Sequence, residues 1–333
     1  MIVPDGLGQL NGVASFMKLP YVSTFKELKE TEPDIAIVGI PLDDGQSWKT
    51  GARFGPRAIR DASTYYSTKK YHLGLGFDYF QHISAVDFGD AKITPGYIEA
   101  SQDLITSKII DVLNAESIPI SIGGDHSITY PIIRGFKREW KKKLGIIQID
   151  AHLDLRPGAL EGRLSNGTPM RGILEEDLID PGNLVQIGAR DFVNEEDWDY
   201  AKRKGVHIFQ MTEIEERGLV SIIEEGLQIA WNGTDGVYLT FDIDALDPCH
   251  APGTGSPTFG GINAKEALKA VGMIAKKGLV GFDLVEVTPN YDLHDMTSTL
   301  ASRIIVEVLA SCAFRIQNKL TKIVSPGRTR YVG

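Results

Sequence analysis

Cysteine is nearly absent from this chain of 333 residues, which carries only Cys249 and Cys312, neither in a CxxC pair. A disulfide framework or a thiolate zinc site has nothing to build on, and both read as plain thiols. No stretch approaches the ~20 uninterrupted apolar residues that a membrane span needs. The opening MIVPDGLGQLNG also lacks the basic start and apolar run of a secretory leader. These absences exclude a membrane partner and lead us to expect a soluble, cytoplasmic protein. Long runs of one charge are missing too. The net charge of -9 is dispersed, and Lys141 to Lys143 after Arg138 read as a solvated helix end, so nucleic acid is excluded as a partner. Net acidity favours a cationic small molecule only weakly, because salt screens such a field within about 8 Å.

With 42% apolar residues the chain can bury a substantial core. Short β-branched or apolar runs recur at 35–40, 83–88, 118–122, 144–150, 184–189, 206–210, 236–242 and 279–286, giving eight candidate strands. Several lack polar alternation, as strands buried on both faces do. Stretches of helical spacing at 97–115, 221–231, 264–277 and 297–317 alternate with them. Such alternation predicts βαβ units and a three-layer α/β fold, helices on both sides of a mainly parallel sheet of about eight strands. No repeat or linker divides the chain. Residues 1–32 are expected to form an N-terminal arm and 33–333 a single domain. GARFGPRAIR (51–60) reads as turn chemistry leading into a helix, with Pro56 at its start.

Chemistry-bearing residues gather at three strand ends. Asp150, His152 and Asp154 in IDAHLDLR follow the run LGIIQ at a spacing of two, which in an extended segment turns all three to one side. Asp242 and Asp244 in FDIDALDP repeat that spacing, and His126 in GGDHS follows IPISI through two glycines. Sites in parallel sheets form outside the carboxyl ends of strands, so the motifs are expected to converge there. A lone Asp or His at a strand end is more often a turn or cap residue. Six together point to metal, because four clustered carboxylates repel one another unless cations separate them. This hard donor set suits two divalent ions, manganese before nickel, cobalt or iron. Two such ions balance four carboxylates, and a hydroxide between them leaves the site net negative and suited to a cationic electrophile. Glu286, ending LVGFDLVE, is placed to receive a planar guanidinium. Asp125 and Asp247 read as supporting or turn residues, and His72, His82, His207 and His294 belong to no cluster.

In this order GARFGPRAIR, GGDHS, IDAHLDLR, FDIDALDP and FDLVEVTPNYD resemble the ureohydrolase family of arginases, agmatinases, guanidino-acid hydrolases and formimidoylglutamases, over roughly residues 33 to 315. The resemblance implies an arginase-like fold and a bridged metal pair, usually Mn2+, with Ni2+ or Co2+ as alternatives. It implies His126, Asp150, Asp154 and Asp242 on one ion and Asp150, His152, Asp242 and Asp244 on the other, with Glu286 holding the substrate. It further implies homo-oligomers, trimers or hexamers, with hetero-oligomers also open. One departure stands out: SNGTPMR places Asn166 where agmatinases and arginases usually carry a proton-shuttling His. An amide does not titrate near neutrality, so Asn166 is expected to hydrogen-bond substrate, and His250 is a candidate replacement for the shuttle. Arg156 and Arg163 flank that loop as candidates for a substrate carboxylate. The expected activity is cleavage of a C–N bond in a small guanidino compound by metal-bound hydroxide, with release of urea. The candidate substrates are agmatine-like compounds, guanidino acids, guanidine, alkylguanidines and biguanides. A formimidoylglutamase releasing formamide and an inactive partner subunit of the same fold are the alternatives.

Overall fold

A computed structural model describes residues 10–158 and 163–318. Its central sheet follows from strands with no polar side. In β1 (Ile35–Ile40), Ile35 and Ile37 enter one core, while Ala36, Val38 and Ile40 enter another on the opposite face. In β6 (Leu144–Ile149), Ile147 and Ile149 go one way and Leu144 and Ile146 the other. Successive side chains of a strand point to opposite faces, so two cores need a layer of helices on each side.

The remaining sheet strands are β4 (Ala85–Asp90), β5 (Ile118–Gly123), β7 (Leu184–Ala189), β8 (His207–Gln210), β9 (Gly236–Asp242) and β10 (Gly281–Val285). β2 (Tyr71–His72) and β3 (Phe77–Asp78) form a separate antiparallel hairpin. The eight-stranded sheet runs in the order β4-β1-β5-β10-β9-β6-β7-β8, and its recorded pairings are all parallel. All eight expected strands are present, and the expected three layers are those of the structure.

One face is covered by α2 (Gly55–Ser63), α7 (Met211–Arg217), α8 (Leu219–Ala230), α9 (Ala264–Lys277) and α10 (Met296–Gln317). The other carries α1 (Phe25–Thr31), α3 (Ile98–Asn114), α4 (Thr129–Gly135), α5 (Pro169–Glu175) and α6 (Glu195–Lys204). Local signals start and stop these helices. Asn263 and Glu266 form a capping box at the start of α9, and Lys276 and Lys277 sit in its last turn against the helix dipole. Pro56 stands in the first turn of α2, where its missing N–H costs nothing.

Within the stretch expected as an arm, the chain from Phe16 onward packs on the body. Phe16 and Met17 are fully buried. The Phe16 N–H donates to Asp87 Oδ2 at 2.8 Å and the Met17 N–H to Ser63 Oγ at 2.7 Å. Asp87 also accepts two bonds from Arg60, Nε at 2.8 Å and Nη2 at 3.0 Å. Arg60, the last of the three arginines of GARFGPRAIR, thus ties α2 to β4, a structural duty.

Candidate metal centre and substrate cavity

Four neighbouring strands at the middle of the sheet, β5, β10, β9 and β6, deliver the chemistry at their carboxyl ends. His126 follows β5 through Gly124, where a Cβ would lie only 1.8 Å from the Leu42 carbonyl oxygen; only glycine allows that approach. Asp150 follows β6, and its Oδ1 accepts the His152 N–H at 2.7 Å. Asp154 is in a left-handed conformation, φ 52°, and so is Glu286 after β10, φ 67°. Asp242 ends β9, and its Oδ1 accepts the Asp244 N–H at 2.9 Å. The carboxylates therefore converge through side-chain-capped turns, not through the extended comb that the spacing of two suggests, because the strands end at Ile149 and Asp242.

His126 Nδ1 lies 2.8 Å from Asp154 Oδ2, 3.0 Å from Asp150 Oδ2 and 3.3 Å from Asp242 Oδ2. It is buried and forms a hydrogen bond with none of them. A buried nitrogen surrounded by oxygens yet bonded to none is what a shared cation would resolve. Its other nitrogen, Nε2, meets Thr240 Oγ1 at 2.9 Å, which leaves Nδ1 to face the cage. His152 Nδ1 lies 3.1 Å from Asp244 Oδ2 and 3.4 Å from Asp150 Oδ1. His126, Asp150 and Asp242 form one group able to hold an ion, and Asp150, His152 and Asp244 form a second. Asp150 belongs to both. The donors are imidazole and carboxylate without thiolate, so the residues fit hard divalent ions.

Electrostatics agree. Burial pulls His126 down, but Asp154, Asp150 and Asp242 outweigh it and hold the imidazole well above its ordinary value. Burial likewise opposes the low value of Asp150, which His126 and His152 hold well below the usual carboxylate range. Burial first, then the charges of Asp244 and Asp150, pushes Asp242 far up, and burial with Asp150 lifts Asp154 to about 6. Glu286 is pushed up to about 8, by burial and then by Asp125. These carboxyls cannot all ionise side by side without cations.

Residues 33–311 match the model described as the arginase family. The chain belongs to the arginase family. It is a hydrolase of C–N bonds of the ureohydrolase type. It is 35% identical over 302 residues to guanidinobutyrase of Pseudomonas aeruginosa, covering 90% of this chain and 92% of that protein. The solved proclavaminate amidinohydrolase of Streptomyces clavuligerus superposes with a TM-score of 0.82 at 34% identity, covering 92% of this chain and 99% of that one. Formimidoylglutamase of Bacillus subtilis superposes with a TM-score of 0.79 at 34% identity, covering 84% and 87%. Among the described residues no helix is long and apolar enough to cross a membrane.

In this arginase-family chain a cavity of about 580 Å³ opens over the cage, lined by His126, His152, Asp154, Asp242, Asp244 and Glu286 together with Asn166 and Arg156. Arg163 and His250 are not among its lining residues. Arg163 lies against Gly158, and the His250 N–H donates to the Asp247 carbonyl at 2.8 Å. Asp247 is a turn residue, accepting the Cys249 N–H at 3.0 Å and the Gly260 N–H at 2.7 Å. Trp48, Phe192 and Phe259 line the cavity while largely exposed, so its mouth is aromatic.

Several contributors carry no motif. Gln46 Nε2 donates to Glu286 Oε2 at 2.9 Å, while the His126 N–H donates to Glu286 Oε1 at 2.8 Å. Gln46 sits on a loop and gives no sequence signal. Gln148 Nε2 donates to Asp150 Oδ2 at 2.7 Å, and Gln186 Nε2 bonds Gln148 Oε1 at 2.5 Å. Here a signal exists: both glutamines interrupt apolar strands, where a buried amide needs a partner. Arg190 spends its guanidinium on carbonyls, with Nη2 reaching Asp244 O at 2.6 Å and Thr258 O at 2.7 Å. It lines the cavity but is held by the protein itself.

Proposed function

We propose that the protein hydrolyses a C–N bond of a small guanidino compound and releases urea. The observation that carries this reading is one cavity lined by members of both His and Asp groups, His126 and Asp242 with His152 and Asp244, and by the buried carboxylate of Glu286. We assign His126, Asp150, Asp154 and Asp242 to one divalent ion and Asp150, His152, Asp242 and Asp244 to the other, with Mn2+ first and Ni2+ or Co2+ as alternatives. When bound, such a pair supplies Lewis acidity and brings the pKa of a water toward neutrality.

The side chains of this chain do the positioning. Glu286, fixed through Gln46 and the His126 N–H, orients the planar cation by paired hydrogen bonds. Asn166 has no proton to move near neutrality and serves as a hydrogen-bonding partner of the substrate. Arg156 is the cationic side chain of the lining not spent on backbone carbonyls, and it suits the carboxylate of a guanidino acid better than Arg163, which is not in the lining. The names of relatives, guanidinobutyrase and proclavaminate amidinohydrolase, support a guanidino substrate. Assembly as a trimer or hexamer is part of the same reading.

The test is a product assay on protein loaded with Mn2+, Ni2+ or Co2+ against guanidine, alkylguanidines, biguanides, agmatine, guanidino acids and formimino amino acids. Urea is the expected product. Formamide alone would identify a formimidoylglutamase, the reading favoured by SNGTP and by the likeness to the Bacillus subtilis structure. Neither product, together with no bound metal, would leave an inactive partner subunit.

A further inference from the structure

We propose that Gln46 and Asn166 read the substrate's head with their amide oxygens, so that this site selects an intact guanidinium over an amidine that lacks one nitrogen. The inference rests on the reading that the cavity takes a planar amidine-type cation beside Glu286.

Glu286 is fixed on both oxygens: Oε2 accepts from Gln46 Nε2 at 2.9 Å and Oε1 from the His126 N–H at 2.8 Å. Its own N–H donates to the Gly124 carbonyl at 2.8 Å, which holds the left-handed backbone in place. With a cation held beside it Glu286 is ionised and only accepts, so the Gln46 amide keeps its NH2 end on that carboxylate. Gln46 Oε1 is therefore the end turned away from Glu286, buried without a hydrogen-bond partner, and the next residue, Ser47, lines the cavity. Asn166 Oδ1 is a second buried oxygen without a partner, on a residue that lines the cavity. The two amides belong together, since the Asn166 N–H donates to the carbonyl of Gly45, the residue before Gln46, at 2.8 Å.

One carboxylate and two amide oxygens on neighbouring loops offer acceptors and ask for donors. Buried acceptors left unpaired are penalised, and a site built for a substrate N–H rejects the analogue that lacks it. A guanidinium carries nitrogen on all three arms of its carbon. A formimidoyl group carries hydrogen on one, so one acceptor would stay unpaired. Neutral amides also add this selection without adding to the negative charge of the cage. Asn166 in this role explains why an amide can stand where agmatinases and arginases usually carry a titrating His: the position recognises, and no proton has to pass through it.

Guanidinium and formamidinium differ by that single nitrogen and form the test pair, each at millimolar concentration with metal-loaded protein. Dissociation constants are read by calorimetry where no turnover occurs, and kcat/KM is read where it does. Wild type is expected to favour guanidinium by at least about tenfold. Gln46→Met and Asn166→Leu should each bring the ratio toward one with metal content unchanged, whereas Asn166→Asp, which keeps an acceptor oxygen, retains the preference. Gln46→Ala and Asn166→Ala, which remove the acceptor without adding apolar bulk, carry the test if Gln46→Met or Asn166→Leu loses its fold by circular dichroism. Equal affinity in wild type, or an unchanged ratio in the folded variants, overturns the proposal. Urea release with unchanged ratios overturns this inference and leaves the hydrolase reading. The expected ratios without urea from any compound uphold it and overturn the hydrolase reading.

Discussion

His126 shows how much of a site is built behind its ligands. Its Nε2 meets Thr240 Oγ1 at 2.9 Å, and Thr129 Oγ1 lies 3.4 Å from the same hydroxyl and donates to Asp283 Oδ2 at 3.0 Å. Tyr238 OH donates to that carboxylate at 2.7 Å. A buried polar relay thus runs from a cage imidazole down into the sheet. It anchors Nε2 at the sheet, so that Nδ1 is the nitrogen turned to the cage. Thr240→Val keeps the shape and removes the hydroxyl. We expect metal affinity to fall roughly 10- to 100-fold, the usual cost of losing such a partner. Calorimetric titration with Mn2+ reads this; unchanged affinity would show that Thr240 only fills space.

At the scale of elements, the strands were legible because several are apolar on both faces, and that pattern survives any change of loop. The longer helices were legible too: α3 was expected over 97–115 and spans Ile98–Asn114, and α9 matches 264–277. The cage residues could be recognised as a set, but not the way they meet. Side-chain caps at Asp150 and Asp242 and the left-handed Asp154 and Glu286 make the convergence, and such turns depend on bonds that spacing does not encode. Gln46 and Thr240 were illegible for the same reason, each owing its role to contacts distant in sequence.

Helix α3 carries a further consequence of burial. Lys108 donates to the Phe88 carbonyl at 2.8 Å and lies over the Phe88 ring, and burial pulls its pKa from 10.5 down to about 8 against the opposing charges of Asp111, Asp90 and Asp87. The unfolded chain therefore holds this proton more tightly than the folded one. The penalty is complete below about pH 8 and fades as pH rises toward 10.5. Compared with Lys108→Met, the wild type should gain melting temperature between those values. Parallel melting curves for the two proteins across that interval would contradict the assignment.

For the whole molecule, the same sheet that gives the fold gathers four carboxylates over its central strands, and the packing of two cores holds them there. A cation bound to this folded cage, and absent from the unfolded chain, stabilises the fold by mass action. At a free metal concentration 100 times the dissociation constant the gain is about 2.7 kcal/mol. For a chain of 333 residues that corresponds to a rise of roughly 4 °C in melting temperature. Chelation should lower the melting temperature by that amount, and added Mn2+ should restore it. Asp150→Asn provides the control, because Asp150 belongs to both groups of ligands and its loss weakens both. The variant should melt at nearly the same temperature with or without metal. If chelator and Mn2+ leave the wild type unmoved, the His and Asp groups do not hold ions in the folded chain, and the hydrolase reading loses its basis. If they shift Asp150→Asn as much as the wild type, the ions bind elsewhere.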